Sequence, residues 1–178
     1  MLKGDKINLR LMRKKDIEEY LDLFSDLETR GPYFPMALQT EASLEQRLAK
    51  DGCWSDEYRL LLIVAKDTDR ILGMVVAFQP VRFYDAFEFG YILFDKASRG
   101  KGYVTEAVCL FVQYLFDLKP VHRIQLHIEA ENLASVKVSE KCGFTFEGTA
   151  RKAFIKSGKP TDIGIYSLLR EEWEARKV

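Results

Sequence analysis

With 178 residues the chain is long enough for one domain with a proper apolar core, and a single domain over 1–178 is the expectation. Its 27 basic and 27 acidic side chains cancel, so no global field draws the protein to nucleic acid or to an anionic membrane. Cys53, Cys109 and Cys142 are odd in number and widely spaced, which suits reduced thiols in a cytoplasm and no disulfide framework. The two histidines, His122 and His127, stand away from any cysteine pair, which argues against zinc. The start, Met1-Leu-Lys-Gly-Asp-Lys, lacks the apolar core of a signal peptide, and the longest apolar run, Ile71 to Phe78, is too short to cross a bilayer. A soluble, cytoplasmic protein without a membrane or nucleic-acid partner is expected.

Ile7, Leu9 and Leu11 alternate with Asn8 and Arg10, which predicts a half-buried strand ending at a basic turn. A helix follows, with Asp16 as its N-cap, Glu19 three residues on, and Ile17, Tyr20, Leu21, Leu23, Phe24 and Leu27 on its apolar side. Gly31-Pro32-Tyr33-Phe34-Pro35 breaks it, and a second helix spans Ala42 to Lys50 with Leu44 and Leu48 inward. Strands are predicted at Arg59–Lys66 and Ile71–Pro80 around the polar turn Asp67-Thr68-Asp69-Arg70, and again at Ala86–Phe94.

Arg99-Gly100-Lys101-Gly102-Tyr103-Val104-Thr105-Glu106-Ala107 then runs into a helix whose apolar positions are Val104, Ala107, Val108, Phe111, Val112 and Leu115. A helix start leaves backbone N–H groups unpaired and carries a partial positive charge, so this turn is built like a cradle for a pyrophosphate. Gly100 and Gly102 permit the positive φ angles that aim successive N–H groups into one concavity, and Arg99 and Lys101 add charge. A Walker A loop does not fit, because Lys101 lies between the glycines with no hydroxyl residue after it. The dinucleotide fingerprint fails too: its third glycine would fall at Thr105, and Val121, His122 and Arg123 stand where an acidic residue is needed.

Beyond that helix, which ends near Leu118-Lys119-Pro120, Arg123 to Glu129 alternates as a strand. Asn132 caps a further helix that closes at Gly143, and Phe144 begins a last pair of strands joined by Lys156-Ser157-Gly158-Lys159-Pro160. The order is β-α-α-β-β-β-α-β-α-β-β, a single α+β unit with no internal repeat.

Read with Glu131-Asn132-x-x-Ser135 and Glu140-Lys141-Cys142-Gly143-Phe144, this order and the Arg-Gly-Lys-Gly-Tyr turn resemble the GNAT acyltransferase superfamily over nearly the whole chain. Gly102-Tyr103-x-Thr105-Glu106-Ala107, Asn132-x-x-Ser135 and Asp162…Tyr166-Ser167-Leu168 look most like the branch of the ribosomal-protein N-terminal acetyltransferases. The resemblance implies a mixed, mostly antiparallel central sheet with helices on both faces. It also implies acetyl-CoA as co-substrate, no metal, and direct acetyl transfer to a primary amine, either a protein or peptide N-terminus or a small amine. A homodimer is common among similar proteins.

On that reading Arg99, Gly100, Lys101, Gly102, Tyr103 and Val104 hold the pyrophosphate, and Ile92, Leu93 and Phe94 offer backbone groups to the pantetheine amides, in the manner of an added strand. Asn132 is both a helix cap and a ligand contact, and Ser135 is a candidate to bond the thiol end of the cofactor. Many superfamily members carry a general-acid tyrosine where this chain has Ser139, and the glutamate base of the ribosomal branch is replaced here by Phe154. Glu88, within Phe87-Glu88-Phe89-Gly90-Tyr91, is the candidate base, since apolar neighbours suit a carboxylate to accepting a proton. His127 is its rival, because an imidazole titrates near neutrality, although Arg123, Gln125 and Glu129 on its face suggest a solvated polar surface. Tyr166 is a further candidate, as proton donor or pocket wall. Gly31 to Met36 corresponds to one wall of the acceptor site in GNAT folds. The competing reading is a non-catalytic acetyl-CoA sensor of the same fold.

Overall fold

The computed structural model describes residues 1–26, 31–33, 38–81 and 85–177. Its contacts divide the chain into two units, one formed by Met1–Phe78 with Gly90–Phe111 and the other by Gln79–Phe89 with Val112–Val178.

The first unit holds β1 (Leu2–Lys3), β2 (Ile7–Arg10), β3 (Tyr58–Ala65), β4 (Ile71–Phe78) and the end of β5 (Ala86–Leu93), adjacent in that order. Its first four strands pair antiparallel, with Ile7 opposite Ala65 and Leu62 opposite Met74. Both faces of β3 are covered, which is why Leu60 to Val64 is a continuous apolar run. Leu60, Leu62 and Val64 pack with Tyr20 and Phe24 of α1 (Ile17–Ser25) and Leu44 of α2 (Glu41–Asp51). Leu44 has no exposed surface, and its burial contributes roughly 1.5–3 kcal/mol. Thr40 caps α2 by accepting from the Ser43 amide, and Gly52 ends it in the left-handed conformation.

Asp16 stands at the N-cap position of α1, as the sequence predicts, but its side chain makes no capping hydrogen bond to that helix. Its carboxylate is buried and takes Arg10 bidentately at 2.6 and 3.0 Å, while Oδ2 also accepts from the Arg13 amide at 2.7 Å. A short 3-10 turn, Lys14–Asp16, leads into the helix instead. At the other end of this unit β4 and β5 approach closely at Gly73, where an added Cβ would lie 2.1 Å from the Ile92 carbonyl oxygen.

The second unit contains the start of β5, then β6 (Arg123–Glu129), β8 (Lys159–Leu169) and β7 (Thr145–Lys156), adjacent in that order. The β5–β6 ladder is parallel and covers Ala86 to Glu88 of β5, whereas β6–β8 and β7–β8 are antiparallel. The sheet is therefore mixed and mostly antiparallel, as the α+β reading requires. The last hairpin is tighter than expected: Lys156 pairs with Lys159, and Ser157 and Gly158 make a two-residue turn with φ of +48° and +76°. Positive φ at both positions is the I′ geometry that matches strand twist. Helix α3 (Tyr103–Leu118) divides between the units after Phe111, and α4 (Leu133–Lys141) closes at Gly143, φ +81°, as predicted. Among the described residues the observed order adds two strand or α-helix elements to the expected one, the two-residue β1 and a terminal α5 (Arg170–Glu174). Arg170 donates to the carbonyls of Phe116, Lys119 and Val121, supplying partners to groups left open where α3 ends.

Candidate active site

The glycine turn of the first unit has the conformation a phosphate cradle needs. Asp95 caps a 3-10 turn at Lys96–Ser98 by accepting from the Ala97 amide at 2.8 Å, and the chain then enters Gly100 and Gly102 with φ of +75° and +83°. Helix α3 starts directly afterwards at Tyr103, so the N–H groups of Tyr103 and Val104 belong to its first turn. A Cβ at Gly100 would meet nothing within 4 Å, which leaves the space before the turn open to a ligand. The two positive φ angles and the helix start give the turn the shape of an anion-binding concavity.

Two contributors to this turn escape sequence reasoning. Lys6 donates to the Lys101 carbonyl at 3.2 Å, placing an ammonium beside the cradle. Glu106, in the first turn of α3, accepts from the amides of Asp5 and Lys6 and so braces the β1–β2 turn against the helix. Arg99, assigned to the phosphates from sequence, has its guanidinium beside Gly31, where an added Cβ would lie 3.5 Å from Nη2. Of the β5 residues expected to offer backbone, Phe94 donates its amide to the Leu72 carbonyl at 3.0 Å, and Ile92 turns its carbonyl toward Gly73; Leu93 is buried. Of Gly31 to Met36, residues 34–36 lie outside the described residues.

In the second unit the structure joins the two rival bases. Glu88 Oε2 lies 2.9 Å from His127 Nδ1 and accepts from Gln125 Nε2 at 3.3 Å. The Glu88 side chain is 15% exposed and His127 38%, so the solvated surface suggested by the sequence is instead a paired polar face. Its neighbours are paired too: Arg123 grips Glu147 at 2.7 and 2.5 Å, Ser167 donates to Glu147 at 2.8 Å, and Lys156 donates to Glu129 at 2.5 Å. Hydrogen bonds from Arg123 and Ser167 hold the Glu147 carboxyl down at about 2. The hydrogen bond to Glu88 raises the His127 imidazole above its ordinary value, against the opposing effect of burial.

Asn132 caps α4 as predicted, its Oδ1 accepting from the Ser135 amide at 3.2 Å. Ser135 sits half-buried in the first turn of the helix. Ser139, at the position of the family's tyrosine, is fully buried and donates to the Val136 carbonyl at 2.8 Å. Tyr166 is opposite Leu126 in the β6–β8 ladder and packs against Phe146 with the rings tilted, centroids 5.2 Å apart. Leu126 and Gln125 point to opposite faces of β6, so Tyr166 and Glu88 stand on opposite sides of this sheet. Among the described residues no three His, Cys, Asp or Glu side chains gather as a metal site.

The family model described as Acetyltransferase (GNAT) domain matches residues 6–145. The chain belongs to the GNAT acetyltransferase family. A Bacillus subtilis (strain 168) relative of this GNAT chain, Probable N-acetyltransferase YjcK, is 36% identical over 98% of this chain and 99% of its own. The spermidine N(1)-acetyltransferase of Vibrio cholerae is 23% identical, covering 96% of both chains. Among solved structures, the Vibrio cholerae spermidine N-acetyltransferase in complex with CoA and spermine shares the fold, with a TM-score of 0.81 at 21% identity over 96% of this chain and 99% of that one. The GNAT chain is thus an acetyl-CoA-dependent N-acetyltransferase by family, and its relatives do not single out the ribosomal-protein branch.

Proposed function

We propose that the protein acetylates a primary amine, on a peptide N-terminus or a small molecule, and that the Glu88–His127 pair receives the amine proton. The observation that carries this reading is the 2.9 Å contact between Glu88 Oε2 and His127 Nδ1. With Nδ1–H directed at Glu88, the neutral imidazole keeps Nε2 as its proton acceptor, and the carboxylate stabilises the imidazolium that follows. Acetyl-CoA supplies an activated thioester. The amine nitrogen forms its bond to the acetyl carbon as the carbon–sulfur bond breaks, the amine proton passes to His127 Nε2, and the electron pair leaves on sulfur. Gly100, Gly102 and the start of α3 fix the diphosphate, which holds the reacting end in place through its own chain. Asn132 and Ser135 remain candidates for the thiol end.

The test is a mass-spectrometric screen for amine-dependent acetyl transfer, using pooled N-terminal peptides, amino acids, polyamines and aminoglycosides. A product from one pool, lost in E88Q and in H127A, supports the reading. Full turnover in E88Q across pH 6 to 9 sinks the assigned base, while saturable acetyl-CoA binding without product in any pool favours the sensor reading.

A further inference from the structure

The first unit carries an open pocket of about 350 Å³ between α1, α2, β3 and β4. That volume falls within the range of small-molecule sites. Its walls include Tyr20 and Phe24 from α1, Tyr58 from β3 and Met74 from β4, with Thr40 and Arg47 bordering it from the α2 side. Tyr20 donates its hydroxyl to the Met74 sulfur at 3.2 Å, and its ring stacks on Phe24 at 5.5 Å, so the apolar walls are fixed before any ligand enters. Arg47 places its guanidinium 5.1 Å from the centroid of the Tyr58 ring. It hydrogen-bonds the Tyr58 hydroxyl and makes no ion pair with a carboxylate among the described residues, and among the described lining residues none is acidic.

These features select a ligand by charge and shape. A planar guanidinium without an acidic partner favours an oxyanion, which it can hold through two parallel hydrogen bonds. Aromatic and thioether walls favour an apolar or aromatic body. A polycation finds repulsion from Arg47 and, among the described lining residues, no carboxylate to balance it. Burial pushes the Tyr20 and Tyr58 phenols up, so both rings stay neutral across the working pH range.

We propose that this pocket binds a small carboxylate with an aromatic or branched aliphatic body, the body against Tyr20, Phe24 and Met74 and the carboxylate on Arg47. The inference does not depend on the proposed amine acetylation, because it concerns binding alone. It is tested by isothermal titration of the full chain without acetyl-CoA, using phenylacetate, its uncharged isostere phenylacetamide, and spermidine. Saturable binding of phenylacetate is expected, with phenylacetamide about tenfold weaker or more and spermidine failing to compete. R47M keeps the length of the side chain and removes its charge, and should abolish the preference for phenylacetate. Equal affinity for phenylacetate and phenylacetamide, absence of saturable phenylacetate binding up to about 10 mM, or displacement by spermidine overturns the proposal. Arg47 is exposed on its helix, so the variant should fold, and the comparison of probes on the unaltered protein stands without it.

Discussion

Glu88 meets two side chains of the neighbouring strand, and that arrangement fixes what its removal does. In E88Q the raised His127 imidazole loses the hydrogen bond that lifts it, so it returns toward the ordinary value near 6.5. In the proposed mechanism turnover uses neutral His127, which becomes available as pH rises through its folded value. The acid limb of kcat/KM in the unaltered enzyme is therefore expected above pH 6.5, and in E88Q it moves down while the plateau falls about 10²-fold or more. A pH profile of both proteins checks this. The same contact bears on folding with a definite sign. Because the folded imidazole is raised, its stabilisation is complete below about pH 6.5 and fades as pH climbs through the folded value.

At the scale of elements, the turn before α3 depends on backbone conformation more than on space. Gly100 and Gly102 hold φ of +75° and +83°, and a β-branched residue there costs about 1–2 kcal/mol in strain or shifts the N–H groups. G100V and G102V should weaken acetyl-CoA binding by tenfold or more in a calorimetric titration, with melting lowered by only a few degrees. This turn and strand β6 were legible in the sequence because both signals are local: two glycines before a 3.6-residue period, and alternation from Arg123 to Glu129. Asp16 misleads because the residue type that caps helices also pairs with arginine, and only the fold brings Arg10 to it. The Glu88–His127 contact and the Lys6–Lys101 bond were hidden for another reason. Their partners lie far apart in the chain, 95 residues in the second case, and become neighbours only through strand register and helix docking.

Across the whole molecule, two linkages set the conditions for stability. The Arg10–Asp16 pair is 4% exposed on each side, and Asp69 adds a second carboxylate to Arg10 at 2.8 Å. Removing Asp16 leaves the buried guanidinium with only the half-exposed Asp69, so D16A should cost up to about 3–5 kcal/mol in urea unfolding. Hydrogen bonds from Arg10 and the Arg13 amide hold Asp16 below its ordinary 3.8, in spite of burial, which acts the other way. Its contribution is present above that value and is lost as pH falls through the depressed one, so acid unfolding should begin at higher pH in D16N than in the unaltered chain. Cofactor acts in the opposite direction. Acetyl-CoA at a hundred times its Kd should add about 2.7 kcal/mol to stability, and a scan with and without it should show a rise in Tm of several degrees that G100V does not share.

The contact of Asp5 and Lys6 with Glu106 also has a practical side. Any purification handle fused ahead of Met1 sits a few residues from the glycine turn proposed to hold the cofactor, and a bulky or acidic one is expected to perturb the very affinity being measured. A handle at the other terminus avoids the interference, and a matched pair of fusions would reveal how much of an observed Kd belongs to the tag.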